Sequence, residues 1–271
     1  GIIWEAVGNG NHNTIAYSYD GLNWHGLGNN FFNQNGGYSV SWNGNIWVAV
    51  GKDANNIVYS YNGIDWFLSE SNNIFSIGGN GIAWNGKLWV AVGYGNNYNI
   101  INSYDGFNWY QTSGIAHGNN NYLLDIAWNG KRWVAVGKGE NIITYSDDGK
   151  NWNSLSNSDQ IFSNEGKSLA WNGTIWVAVG QGDTNTIAYS EDGIIWTGAQ
   201  DNNQATTKNI FFNAGYGIAW NGYMWVATGN GTNTIAYSYN GITWNGLGNT
   251  SFSFTTGHNV AFNSLRPHNI T

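Results

Sequence analysis

The sequence predicts an all-β fold built from repeated four-stranded antiparallel sheets. Three observations carry that reading. The phrase "YSYDGLNW" at 17–24 returns as "YSYNGIDW" at 59–66, "NSYDGFNW" at 102–109, "YSDDGKNW" at 145–152, "YSEDGIIW" at 189–196 and "YSYNGITW" at 237–244. A second phrase, "WVAVG", starts at Trp47, Trp89, Trp133 and Trp176, with "WVATG" at Trp225 and "WEAVG" at Trp4. A third, ending "WNG", spans Ser41–Gly44, Ala83–Gly86, Ala127–Gly130, Ala170–Gly173 and Ala219–Gly222, with a degenerate copy at Ala261–Ser264. The tryptophans of the second phrase are 43, 42, 44, 43 and 49 residues apart. A period of about 40–50 residues with several short strands in each unit is the mark of a propeller blade. Six units predict a six-bladed β-propeller.

The strands of one unit follow in order. Ser39–Asn43 is rich in β-formers and runs into Asn43-Gly44, a two-residue hairpin signal. Ile46–Val50 is the second strand. After a short Gly/Asn loop comes Ile57–Tyr61, where Ile57, Tyr59 and Tyr61 alternate with small or polar residues. Asn62-Gly63 turns the chain into a fourth strand around Trp66. These four strands, A to D, make one blade.

The two ends predict closure. Residues 1–8 read as a strand B with no strand A before it, and 258–264 as a strand A with no strand B after it. The expectation is one domain over 1–271, with a closing blade built from 1–28 plus 258–264. Closure of this kind removes the sheet edges an open array would expose.

Composition bounds the function. Only 9% of the 271 residues are charged, while 16% are aromatic, which is ample material for a core. The net charge is −7 and the nine Lys and Arg form no cluster along the chain, so no nucleic-acid partner is expected. The absence of Cys excludes disulfides, thiolate metal sites and Cys nucleophiles. No apolar run approaches the ~18 residues of a membrane span, so no membrane insertion is expected. The chain starts at Gly1, as a mature or excised fragment would.

All 17 tryptophans fall on the repeat. Strand A holds Trp42, Trp84, Trp128, Trp171 and Trp220, with Phe262 in the sixth place. Strand B holds the six named above, and strand D holds Trp24, Trp66, Trp109, Trp152, Trp196 and Trp244. A ring reserved for a ligand would break the pattern, and none does. They read as packing between blades.

The opening phrase reads as architecture too. Ser18, Asp20 and Gly21 sit at the C–D turn, where Asp accepts backbone N–H bonds and Gly takes a positive φ. Asp105, Asp148 and Asp192 repeat the acid, but Asn62 and Asn240 replace it. Turn capping survives that exchange, whereas general acid catalysis does not.

The pattern S-x-D/N-G-x-x-W resembles the Asp-box, or BNR repeat, of sialidases, sortilin-like proteins and photosystem assembly-factor-like propellers. It has one residue fewer between Asp and Gly than the usual box in all six copies. The resemblance implies a β-propeller with Ser18, Asp20, Gly21 and Trp24 as a structural turn. It leaves function open, because such propellers include enzymes and binding scaffolds. A sialidase-like site would imply three arginines. This chain has two, Arg132 and Arg266. No other catalytic motif is present: the five histidines show no metal-ligand spacing, and the 16 acids show no local pair of the kind glycoside hydrolysis needs. The expectation is a protein that is not an enzyme and needs no cofactor or metal.

Binding is expected on one face. The A–B and C–D turns are tight and nearly constant, whereas the B–C and D–A loops differ between copies. Repeats hold their scaffold and vary where they bind. Nine of the 16 tyrosines belong to the strand C repeat. Four of the others, Tyr94, Tyr98, Tyr110 and Tyr122, fall in the loops of one blade or its exit, with His117 among them. Two readings stand: local packing of a long loop, or a binding site in which apolar ring faces and polar edges meet the amides of Asn96, Asn97, Asn119 and Asn120. The chemistry suits a sugar or a protein epitope. The leading expectation is therefore a lectin-like propeller taking a glycan. Its alternative is a structural or protein-recognition module meeting a surface protein in a virion or other surface assembly. A glycosidase with an unrecognised carboxylate pair ranks third. Each of the first two places the chain outside the cell or on a particle or cell surface.

Overall fold

The structure, a computed structural model, describes residues 3–32, 36–52, 56–71, 74–96, 98–114, 121–140, 142–202, 209–248 and 255–261. Two compact units divide the chain, Gly1–Ser156 and Asn157–Thr271. Among the described residues both are built mainly from antiparallel β-strands. The only helix among the described residues is a 3-10 turn at Ser158–Gln160, so no helix there is long and apolar enough to cross a membrane.

The first unit holds four repeats. β1 (Trp4–Val7), β2 (Ile15–Ser18) and β3 (His25–Gly26) form a three-stranded sheet. β4 (Gly37–Trp42), β5 (Trp47–Gly51), β6 (Ile57–Ser60) and β7 (Trp66–Leu68) follow in sequence order across the next sheet. β8 (Gly78–Trp84), β9 (Trp89–Tyr94), β10 (Ile100–Ser103) and β11 (Tyr110–Gln111) form the third. β12 (Tyr122–Trp128), β13 (Trp133–Lys138), β14 (Ile143–Ser146) and β15 (Asn153–Ser154) form the fourth. The inner strands β4, β8 and β12 lie beside one another.

The second unit holds two more repeats: β16 (Glu165–Trp171), β17 (Trp176–Gln181), β18 (Ile187–Ser190) and β19 (Thr197–Gly198), then β20 (Gln200–Asp201), β21 (Ala214–Trp220), β22 (Trp225–Asn230), β23 (Ile235–Ser238) and β24 (Thr243–Gly246). The strand expected over 258–264 is not seen among the described residues. His258–Ala261 lie outside any strand, and 262–264 fall outside the described part.

The A–B connection differs from the expected two-residue hairpin. Trp42 pairs with Trp47, so four residues, 43–46, make the turn. The Asn43 side chain closes it by accepting the N–H groups of Asn45 and Ile46, both at 2.8 Å. The Asn-Gly signal was read as a tight turn because Gly44 does take a positive φ, but the amide caps a wider loop. The tryptophans on either side, Trp42 and Trp47, hold their rings 5.0 Å apart, and each later repeat copies the pair.

The core sits where strand B faces the next repeat. Trp89, Trp133, Trp176 and Trp225 are fully buried. Each such ring removes about 150–250 Å² from water. In the first unit Val90 and Val92 of β9 pack on Leu123, Ile126 and Trp133 of the next repeat.

Two further devices were not foreseen. Four of the D–A loops, although different in sequence, plant a fully buried Phe: Phe32, Phe75, Phe162 and Phe211. The chain leaving strand D also hooks onto the outer strand of the following repeat. Ser113 donates to Lys150 O and accepts from Trp152 N, each at 2.9 Å, and β20 pairs in parallel with β24. These hooks cover outer strands that would otherwise present unpaired N–H and C=O groups.

Candidate functional site: a tyrosine-lined cleft

The recurring turn is saturated with internal hydrogen bonds. In all six copies the Ser Oγ accepts the N–H of the turn glycine at 2.8–2.9 Å. The Asp or Asn Oδ1 accepts the next two N–H groups at 2.8–3.0 Å, and Asn62 and Asn240 do this as Asp20, Asp105, Asp148 and Asp192 do. The N–H of Asn23, its side-chain amide and the N–H of Leu22 hold the Asp20 carboxyl far below the usual carboxylate range. Burial pulls the Asp148 carboxyl upward, but the N–H groups of Asn151 and Lys150 outweigh it and set its pKa at about 2. Asp105 follows the same balance and is also lowered. The strand D indoles complete the turn: Trp24, Trp66, Trp109, Trp152 and Trp244 donate Nε1–H to the glycine carbonyl at 3.0–3.2 Å. Trp196 is the exception, its buried Nε1 having no partner among the described residues. Carboxylates held this way serve the backbone and are poorly placed to move protons.

At the other end of the blades, strand A carries a β-bulge in every described copy. The register slips at Tyr38 in β4, Asn80 in β8 and Leu124 in β12. A bulge re-aims its extra residue out of the regular alternation. In the first unit these three residues meet Tyr94, Tyr122 and Lys52 around a cleft of about 370 Å³, with Ile77 and Gly78 completing the lining. The Tyr94 and Tyr122 rings stand 5.3 Å apart with planes inclined by 35°. The Asn80 amide donates to Leu123 O at 2.7 Å, which fixes its carbonyl oxygen as the end turned away from that bond. The cleft offers three phenol rings, an amide and one ammonium, and among the described residues no carboxylate lines it. It can stack on C–H faces and exchange hydrogen bonds with hydroxyls or peptide groups.

Of the tyrosines singled out from the sequence, Tyr94 and Tyr122 come together. Tyr98 is instead half-buried against the cluster that holds Phe75 and Trp109. Tyr110 lies on the outermost strand of its repeat, opposite Asn102, and does not line the cleft. His117, with Asn97, Asn119 and Asn120, lies outside the described residues. Several loop asparagines are structural: the Asn56 amide donates to Phe75 O at 2.6 Å and the Asn99 amide to Asn121 O at 2.9 Å. Tyr38, Lys52 and Asn80 were missed. A signal for them exists in the repeat. The position four before the inner-strand aromatic reads Tyr38, Asn80, Leu124, Lys167, Tyr216 and His258, a variable column inside a uniform strand.

The carboxylates gather elsewhere. Asp147 and Asp148 line a cleft of about 380 Å³ with Asn85, Lys87, Tyr104 and Lys150. Asp147 is held by Arg132 Nε at 2.6 Å, and Asp148 is fixed by its turn. Among the described residues no three His, Asp or Glu side chains group as metal ligands would.

No family model matches the chain, and no curated protein matches it. Solved structures do. The chain is similar to the computationally designed Ika8 protein over 88% of its own length and 68% of that chain, at 13% identity and a TM-score of 0.56. It is similar to the Niastella koreensis GH74 enzyme over 88% of its length, at 13% identity and a TM-score of 0.65, but it spans only 45% of that chain. It is similar to YCF48, solved bound to D1 peptide, over 90% of its length and 77% of that chain, at 17% identity and a TM-score of 0.61. At these identities the likeness is one of fold, and that fold is propeller-like and all-β.

Proposed function

We propose that this chain is a non-catalytic binding propeller that recognises carbohydrate through the cleft between Tyr38, Asn80, Tyr94 and Tyr122. The observation that carries the reading is the convergence of three phenol rings and an amide, with no carboxylate among the described residues, on bulge and strand-end positions where the repeat is otherwise uniform. Stacking of a ring on a pyranose C–H face, together with hydroxyl and amide hydrogen bonds, is the chemistry such a lining favours.

The scaffold in this reading is six-bladed and closed, with the short turn as a variant Asp-box. The six copies of the turn support it. So does the second unit, where a side chain on Gly217 would meet Asn259 at 2.7 Å, as one on Gly81 would meet Asp125 at 3.2 Å in the first unit. Residues at 258–261 thus lie beside β21 as β12 lies beside β8. Such a module acts outside the cell or on a particle or cell surface.

Peptide recognition is the second reading. Ile77, Leu124 and Lys52 give the cleft an apolar floor and a cation, and the structurally similar YCF48 was solved with a peptide. A glycan array probed with the full chain and with a Tyr94→Ala/Tyr122→Ala variant separates the two. Carbohydrate recognition predicts array signals that the variant loses. An array silent for the wild-type chain abandons that reading in favour of the peptide.

A further inference from the structure

We propose that a separate polar cleft in the second unit is a binding site for a neutral saccharide. It rests on the carbohydrate reading but uses none of the residues of the tyrosine cleft. The space is about 610 Å³ and is lined by Ser163, Asn164, Gln181, Asp183, Asn209 and Phe212, among others. That is within the ~300–1,000 Å³ range of ligand sites.

The lining is built and held. Asn164 donates its side-chain amide to Gln181 Oε1 at 2.8 Å, and its backbone N–H to Gln181 O at 3.1 Å. Ser163 Oγ accepts the N–H of Asp183 at 2.9 Å. Asn209 donates its amide to Asp183 O at 3.1 Å, which leaves Oδ1 as the free end of that side chain. This Oδ1 is buried and has no partner among the described residues. A buried amide oxygen without a donor costs about 1–3 kcal/mol, so among the described residues the site is short of one hydrogen-bond donor.

Phe212 supplies the apolar element. The preceding Phe211 is the fully buried anchor of the loop, so the chain turns Phe212 outward, where it is 71% exposed. After the other anchors that position is Asn33, Ser76 or Ser163, and only here is it aromatic. The exposed ring gives the polar cleft one apolar face.

The chemistry selects the ligand class. Among the described residues no Lys, Arg or His lines the cleft, and the exposed Asp183 carboxylate repels anions, which argues against phosphate, sulfate or acidic sugars. Hydroxyl groups donate to Asn209 Oδ1 and Asp183 and accept from the amides of Asn164 and Asn213, while a C–H face lies on Phe212.

The test uses immobilised neutral oligosaccharides of glucose, galactose, mannose and xylose. The full chain is compared with Phe212→Ala, Asp183→Asn and Tyr94→Ala/Tyr122→Ala variants. Phe212 and Asp183 are exposed, so their replacements leave the fold intact, which circular dichroism checks. The expected result is at least one oligosaccharide whose affinity falls at least tenfold with Phe212→Ala and with Asp183→Asn, and falls less with the tyrosine variant. Binding lost only with the tyrosine variant overturns this site and leaves the tyrosine cleft standing. No binding to any oligosaccharide by the wild-type chain overturns both.

Discussion

Tyr94, the last residue of β9, and Tyr122, the first of β12, come from different repeats yet hold their ring centroids 5.3 Å apart. The pair joins strand B of one repeat to strand A of the next at the end of the blades where the loops vary. Aromatic pairs of this kind contribute about 0.5–1.5 kcal/mol beyond their buried area. Tyr94→Ala should therefore destabilise the chain by about 1–2 kcal/mol in urea unfolding, and Tyr94→Phe by well under half of that. Equal losses would mean that the hydroxyl, and not the ring, holds the contact.

The turn glycines test whether the repeated phrase is architecture. Gly149 has φ +75°, and a side chain there would meet Leu88 Cδ2 at 2.8 Å and Trp133 Nε1 at 3.0 Å. Gly130, in an A–B turn, has φ +95° with nothing near a new Cβ. Gly130→Ala should cost about 1 kcal/mol from backbone strain alone. Gly149→Ala adds overpacking and should cost roughly 2–4 kcal/mol. Thermal unfolding of the two variants gives the comparison, and equal midpoints would deny the wedge between repeats.

Asp148 gives a pH signature in acid. Its carboxyl has a usual pKa of 3.8 unfolded and about 2 folded. The stability it adds is present above pH 3.8 and is lost as pH falls toward 2. Asp148→Asn keeps the acceptor oxygen, as Asn62 and Asn240 do, so it should fold normally and lose less stability than wild type between pH 4 and 2. Asp148→Ala removes an acceptor of four hydrogen bonds, from Ser146 Oγ, the N–H groups of Lys150 and Asn151 and the Asn151 amide, and should cost at least about 1–2 kcal/mol at pH 7.

Glu5 works in the opposite direction. It stands on β1 where the other repeats have Val48, Val90, Val134, Val177 and Val226. Both of its oxygens are buried without a partner among the described residues, and burial raises its pKa from 4.5 to about 8. The folded state therefore binds a proton that the unfolded state has released between pH 4.5 and 8, and stability falls as pH rises through that window. The side chain is only half-buried, so solvent screening reduces the effect to about 1–3 kcal/mol. Glu5→Gln should flatten the dependence in chemical unfolding measured at pH 5, 7 and 9, with its largest gain at pH 9.

The sheets were legible because every repeat restates them. Period-2 runs such as "IAYS", the Asn-Gly turns and the spacing of the tryptophans all point the same way. The bulges were not, because one extra residue in β4 or β8 leaves the apolar pattern intact and shows only as register. The turn from Asn43 to Ile46 was misread because a side-chain cap on a four-residue loop uses the same Asn-Gly pair as a tight hairpin. Of the site, Tyr94 and Tyr122 were visible as tyrosines outside the repeat. Tyr98 looked equivalent to them, but the loop turns it inward against the Phe75 cluster. Asn80 and Tyr38 could be reached only by comparing the copies column by column.

The central claim is that recognition occurs at the Tyr38, Tyr94 and Tyr122 cleft, away from the repeated turns. The direct measurement is a titration of the full chain, carrying isotope-labelled tyrosine rings, with neutral oligosaccharides followed by NMR. The account predicts that the ring resonances of Tyr38, Tyr94 and Tyr122 move together with one affinity, while those of the turn residues Tyr19, Tyr61, Tyr104 and Tyr239 stay in place. Shifts confined to the turn tyrosines, with the three cleft rings unmoved, would contradict it.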